Sequence, residues 1–378
     1  MFRSQKVSLT ITRRLVLMTG LVLMTLALAS APAAAQKATP TFLNSDIPNV
    51  GTVTPNDTNL VNPWGMAWLP GGPWWISDNG SGLSTLYDGT GTPKSLVVNV
   101  PQWDGTAGGS PDGIVGNGTS DFSIGGNATH FLFATEDGTI QGWSSGTSTV
   151  IAVNNFPNAV YKGLALGSAN GNNYLYVANF RGGTVDVFDK NFAPYSGFGS
   201  GAFVDSTIPS GFAPFNVANV GGGTLAVTYA KQDAAKHDDV AGPGNGYVTL
   251  YDTSGNIKGR LAHTPYSNSP WAVVVAPASG FGGFGGDYLV GQFGSGAIAA
   301  YTPAGNLVGL LFNPAALQLQ INGLWGLGFG NGMGSGPTTT LYFTAGYFDE
   351  AHGILGSITC CSMGPFDVTT RLSKINKK

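Results

Sequence analysis

Between Asn62 and Thr90, apolar and polar residues alternate in three short runs, WGMAWLP (64–70), WWISDN (74–79) and LSTLYDG (83–89). A Gly-Pro turn and a Gly-rich turn separate them. A period of two with Gly/Pro punctuation predicts short antiparallel strands rather than helices. The same layout returns five times. Further copies open at Pro111-Asp112-Gly113, Tyr161-Lys162-Gly163, Pro214-Phe215-Asn216, Pro270-Trp271-Ala272 and Asn322-Gly323-Leu324. These starts fall at about 50-residue intervals, the period of a unit that cannot bury both of its faces alone. The prediction is an all-β chain folded as a six-bladed β-propeller, each copy one blade.

Outer fourth strands are expected in PKSLVVNVP, TVIAVNN, AFVDST, RLAHTP and LVGLLF, which follow the third strands of blades one to five. Blade six has no such segment after GSIT. Residues Thr41–Ile47 resemble an outer strand and have no blade of their own. They are expected to close the ring as the outer strand of blade six, covering an edge that would otherwise pair with other chains. Trp64, Trp68, Trp74 and Trp75 are expected to pack mainly between blades.

Composition supports a large core: 42% of the 378 residues are hydrophobic, and the 58 glycines lack any three-residue period, which suits many tight turns. Residues 1–35 join Arg3, Lys6, Arg13 and Arg14 to an apolar run from Leu15 to Ala29 and end in Ala33-Ala34-Ala35. That is the pattern of a cleaved signal peptide. The expected organisation is a signal peptide (1–35), a propeller (36–359) and a C-terminal tail (360–378), in a secreted or periplasmic monomer. Removing the signal takes away four of the 17 basic residues and none of the 20 acidic ones, leaving seven more acids than bases. Such a balance argues against a nucleic-acid partner, and no second apolar run of spanning length follows. Adjacent Cys360 and Cys361 are the only cysteines, which excludes a disulfide framework.

In a propeller, the exits of the second strands and the entries of the inner strands share one face around the central channel. Sequence position therefore predicts which side chains cluster. The exits hold Asp78, Asn79, Glu136, Asp137, Asn179, Arg181, Gln292 and two longer segments. One is Lys231 to Gly246, with Lys231, Asp233, His237, Asp238 and Asp239; the other is Ala345 to Gly353, with Asp349, Glu350 and His352. The entries add Trp64, Asp112, Lys162, Asn216, Trp271, Asn322 and Trp325. Asp78-Asn79-Gly80 and Glu136-Asp137-Gly138 are first of all turn formers. The two long loops exceed any tight turn and are where function is expected. Carboxylates beside an imidazole can hold a divalent cation such as calcium, with Asp239, Asp349 and Glu350 as the candidate ligands, or act as general acid and base.

Other motifs lack their context. Gly142-Trp143-Ser144-Ser145-Gly146 ends a strand instead of forming a strand-to-helix elbow, and the glycine run from Gly280 to Gly285 precedes a strand with no helix to hold a phosphate.

Three functions fit these residues: binding of a small molecule, glycan or peptide on the loop-rich face; a metal-dependent hydrolase or lactonase of propeller type; and a structural envelope protein. Over about residues 41 to 358 the chain resembles a family of exported bacterial proteins of unknown function, predicted six-bladed propellers related to NHL and lactonase-like propellers. The strings that carry the resemblance are NLVNPWGMAW, WWISDNGSGLSTLYDG, TYAKQD with AGPGNGYV, and FTAGYFDEAHGILGSI. The resemblance implies a propeller fold and export, and assigns no catalytic residue. Lactonase-like propellers hold a metal with carboxylates and amides from several blades. On that pattern Asp78, Asn79, Glu136, Asn179 and Asn216 would have to meet at the channel.

Overall fold

The computed structural model describes residues 37–54 and 56–360. Strand β1 (Ala38–Ser45) comes first in the chain but belongs to the last blade. Blade one is built from β2 (Pro63–Ala67), β3 (Trp74–Asp78), β4 (Leu83–Tyr87) and β5 (Val98–Asn99). In blade two, β6 (Pro111–Gly116) is followed by a small hairpin of β7 (Ser123–Ile124) and β8 (Asn127–Ala128). Then come β9 (Phe131–Thr135), β10 (Thr139–Trp143) and β11 (Val150–Asn154). Blade three has β12 (Tyr161–Ala169), β13 (Asn172–Asn179) and β14 (Thr184–Asp189). Blade four has β15 (Phe212–Gly221), β16 (Thr224–Lys231), β17 (Gly246–Asp252) and β18 (Ile257–Arg260). Blade five has β19 (Pro270–Val275), β20 (Tyr288–Gln292), β21 (Ala297–Tyr301) and β22 (Leu307–Leu310). Blade six has β23 (Leu324–Phe329), β24 (Leu341–Tyr347) and β25 (His352–Cys360). All six blade sheets and the β7–β8 hairpin are antiparallel, and the described residues contain no helix.

Ring closure follows the expectation. β1 pairs with β25 from Ala38 opposite Cys360 to Ser45 opposite Ile354. The strand begins three residues before the expected Thr41 and ends before Ile47. β25 includes Cys360, so the propeller runs one residue beyond the expected boundary at 359. Residues 1–35, and the tail after Cys360 with Cys361, lie outside the described residues.

Blade three differs from the expectation, because AFVDST (202–207) forms no strand and the blade stops at three. The segment is used sideways. Phe203 packs on Tyr176 and Tyr251, while the Asp205 carboxylate accepts from Arg260 Nε at 2.6 Å, Arg260 Nη2 at 2.8 Å and Thr249 Oγ1 at 2.8 Å. The Phe203 ring thus bridges blades three and four, and the Asp205 bonds tie the segment to blade four instead of the β14 edge. The outer strand of blade four is Ile257–Arg260, earlier than RLAHTP, and that of blade one shrinks to Val98–Asn99.

Every inner strand begins with a break in register: between Pro63 and Met66, Pro111 and Ile114, Tyr161 and Leu164, Pro214 and Asn216, Pro270 and Val273, and Leu324 and Leu327. A bulge re-aims a side chain. Within these bulges lie Trp64, Asp112, Lys162, Phe215, Trp271 and Trp325, all buried. Their contacts show that they converge on the axis. Trp64 of blade one reaches Phe215 of blade four, with ring centroids 6.5 Å apart, and stacks on Trp325 of blade six at 3.4 Å. The residue after five of the six is Gly or Ala, the exception being Asn216 after Phe215, because neighbouring inner strands nearly touch there. A Cβ on Gly65 would lie 2.5 Å from the Asp112 carbonyl oxygen, and one on Gly163 would strike Asn216 Oδ1.

Candidate functional site

Six equivalent backbone positions carry two kinds of side chain. Trp325 is sandwiched between Trp64 at 3.4 Å and Phe293 at 3.7 Å, and Trp271 meets both tryptophans edge-on at 6.0 and 5.9 Å. This half of the ring is an aromatic plug. Trp64 therefore packs on the axis and not between blades, whereas Trp74 and Trp75 pack against Tyr342 and Phe131 as expected.

The other half carries the charges, Asp112 and Lys162, beside Phe215. Lys162 is wholly buried, pairs with Glu136, and has Asp238 Oδ1 at 3.6 Å and Asp112 Oδ2 at 3.9 Å. The face of Trp64 lies 4.8 Å from Nζ. Asn79 Nδ2 bridges the buried Asp112 and the half-buried Glu136, donating to Asp112 Oδ1 at 2.7 Å and Glu136 Oε2 at 3.1 Å. Asn62 Nδ2 extends the network to Asn79 Oδ1 at 3.2 Å and Glu350 Oε2 at 2.8 Å. Blades one, two, three, four and six all contribute.

Burial works against the Lys162 ammonium, but the charges of Glu136 and Asp112 outweigh it and hold its pKa above the ordinary lysine range. Lys162 is a fixed cation, not a nucleophile. Asp112 is fully buried. Burial and then the charge of Glu136 push its carboxyl well above the usual range, against the pull of Lys162 and Asn79. Glu136 is the close partner of the ammonium, and Asp112 stands farther off, at 3.9 Å. Burial likewise raises Asp239 and Glu350, while the His237 hydrogen bond lowers Asp238.

Of the residues expected at this face, Asn79, Glu136, His237, Asp239 and Glu350 come together around Lys162 and Asp238. Asp349 joins Glu350 in a cleft of about 450 Å3 between blades five and six, lined also by Phe293, Tyr347 and Phe348. The others serve structure. Asp78 is fully buried and accepts from Thr85 Oγ1 at 2.7 Å. Asn179 donates to Asp186 Oδ2 at 3.0 Å, Arg181 holds the Pro157 carbonyl at 2.7 Å, and Gln292 accepts from Asn268 N at 2.8 Å. Asp233 staples its own loop by accepting from His237 N at 2.8 Å. Lys231 is exposed, and His352 turns to Asp46 Oδ2 at 2.7 Å beside the closing strand. Asn62 was not expected at the site. Its only sequence signal was a place just before the first inner strand, where a turn residue is unremarkable. Lys162 and Asp112 were legible as entry residues but not as an ion pair.

The metal set implied by the lactonase resemblance does not assemble as expected. Asp78 and Asn179 point elsewhere, and Asn216 donates to the Trp271 carbonyl at 2.9 Å. Among the described residues, Glu136, His237 and Asp238 are the acid and imidazole groups whose ligand atoms lie within 4.8 Å of one another; Asp239, Asp349 and Glu350 form no such group. That trio fits a cation poorly, because the Lys162 ammonium already sits between Glu136 and Asp238. A divalent ion placed there would stand beside a fixed positive charge.

No known family model matches the chain. Two uncharacterised proteins of Acanthamoeba polyphaga mimivirus are similar to it. One is 31% identical over 325 residues, covering 80% of this chain and 76% of the relative. The other is 30% identical over 322 residues, covering 80% and 81%. Among solved structures, virginiamycin B lyase from Staphylococcus aureus shares the propeller fold at a TM-score of 0.50 and 11% identity, over 86% of this chain and 99% of that one. A likeness at that identity shows the fold alone. The sequence relatives are viral, so the bacterial membership expected from the sequence is not what they show. On the strength of that identity and coverage, the chain belongs to the family of these two mimivirus proteins.

Proposed function

We propose that this is an exported propeller that binds a small polar ligand at the loop-rich mouth of its channel, with the charged half of the ring organising the site in place of a metal. One observation carries the reading: a lysine with no solvent exposure, met by three acids from two neighbouring blades. Packing alone does not call for such a group, since an apolar residue of similar volume is often as stable as a buried ion pair. The other half of the ring shows what packing alone builds at the same positions. Perturbed carboxyls in a cleft are a hallmark of sites that do chemistry or recognition. Export is supported by the signal pattern of residues 1–35.

The test is thermal unfolding of the wild type and Glu136→Gln across saccharides, amino acids, amines and carboxylates. A ligand at 100 times its Kd stabilises by about 2.7 kcal/mol. The expected result is a stabilising class whose effect is lost in Glu136→Gln. Stabilisation that survives Glu136→Gln, Lys162→Met and Glu350→Gln alike would place binding elsewhere.

A metal-dependent hydrolase is the second reading, and the proximity of Glu136, His237 and Asp238 favours it. On this reading the metal shares two ligands with Lys162, and activity on lactones or phosphoesters requires added divalent ion. Hydrolysis that a chelator abolishes would select it.

A further inference from the structure

We infer that the cleft between blades five and six binds an organic ammonium cation, with Glu350 as its counter-charge and the rings of Phe293, Tyr347 and Phe348 as its walls. This rests on the ligand-binding reading above and names the ligand's chemical class.

The protein already shows how it holds an ammonium. Lys162 Nζ is met by the Glu136 carboxylate and by the face of Trp64 at 4.8 Å. Carboxylate plus aromatic ring is the combination that recognises a desolvated cation. The cleft offers the same pair of groups with no cation of its own. Its charged lining residues are Asp349 and Glu350, with no Lys, Arg or His among the lining residues, and three of the others are aromatic. A cleft of about 450 Å3 is of small-molecule size.

A second observation is independent of the acids. Asn62 is 4% exposed, and its Oδ1 has no hydrogen-bond partner while both of its Nδ2 bonds are made. That oxygen faces Gly346, whose added Cβ it would block, and Gly346 lines the cleft. An unpaired buried acceptor at the edge of an acidic cleft calls for a donor. Around this mouth Glu136, Asp238, Asp239, Asp349 and Glu350 outnumber Lys162 and His237, so the site disfavours an anion. Calcium takes six to eight oxygen ligands, which a wall of three aromatic rings does not supply. Phe348, Asp349 and Glu350 all hold positive φ, at 52°, 51° and 65°.

Titration calorimetry tests the inference with two matched pairs: choline against 3,3-dimethylbutan-1-ol, and butylammonium against butan-1-ol. The expected result is that at least one ammonium binds about tenfold or more tightly than its neutral isostere, and that Glu350→Gln removes this preference. Phe348→Ala should weaken binding several-fold; the ring is 64% exposed, so the fold survives its loss. Equal binding of an ammonium and its isostere, or a preference untouched by Glu350→Gln, overturns the inference. If neutral saccharides bind and neither ammonium does, the inference fails while the ligand-binding reading stands. If no ammonium, saccharide, amino acid or carboxylate binds, both fail.

Discussion

Asp112 and Lys162 stand at the same place in their blades as Trp64, Phe215, Trp271 and Trp325. One bulge at the start of each inner strand aims all six at the axis. The aromatic half achieves closure by stacking, as in the Trp64, Trp325 and Phe293 pile. The charged half achieves closure only with help, drawing Glu136, Asp238, Asn79 and Asn62 from neighbouring loops. A scaffold position decides where a side chain points, and the residue placed there decides whether the position packs or recognises.

The largest expected effect comes from breaking the aromatic half. Trp325→Ala removes the middle of the stack and should cost about 4 kcal/mol in denaturant unfolding. Ligand selectivity should be altered less than stability if this half is mainly a plug. Lys162→Met breaks the charged half by leaving acids buried without their cation. About 3 kcal/mol is expected at neutral pH. That deficit should shrink as the pH is lowered and the acids take up protons, which unfolding curves at several pH values would show.

Asn79→Ala sharpens the contrast by removing the amide that bridges Asp112 and Glu136. A loss of about 1–2 kcal/mol is expected, together with weaker ligand binding, and an intact ligand response would separate the bridge from the site.

Asp112→Asn should have the smallest effect on stability, within about 1 kcal/mol at neutral pH. Its signature is in the pH dependence. Burial, and then Glu136, raise the Asp112 carboxyl. A raised carboxyl contributes stability that is fully present below its unfolded value of about 4 and is lost as the pH rises through the folded value. The wild type should therefore lose stability on that climb, and the variant should lose less. Identical slopes would mean that Asp112 titrates normally.

The fold was legible because its signal is repeated. Six copies in phase, each with short alternating strands separated by Gly- or Pro-containing turns, predict blades and closure. The failures came where a segment had no copy to compare with. AFVDST has the composition of a strand, but Asp205 finds Arg260 in the next blade, and no local pattern reveals that partner. The site was half legible. Asp78 and Asn79 are neighbours on one strand end, and because side chains alternate, one faces Thr85 inside the blade and the other the channel. Choosing between them needs the register, which periodicity alone leaves open by one residue. Glu136 and Asp137 divide the same way: Asp137 accepts from Thr135 and from Trp103 N as a turn residue, and Glu136 meets Lys162. That Asp238 reaches Lys162 depends on how the Lys231 to Gly246 loop folds across from blade four, a tertiary fact.

The central claim is that Lys162 is the resident cation of the channel mouth. Calcium titration followed by thermal unfolding, on the wild type and Lys162→Ala, tests it most directly. The wild type is expected to show no shift with calcium or chelator, and Lys162→Ala to gain a calcium-dependent stabilisation as Glu136, Asp112 and Asp238 lose their ammonium. A wild type that calcium stabilises and chelator destabilises, with Lys162→Ala no more responsive, would contradict it.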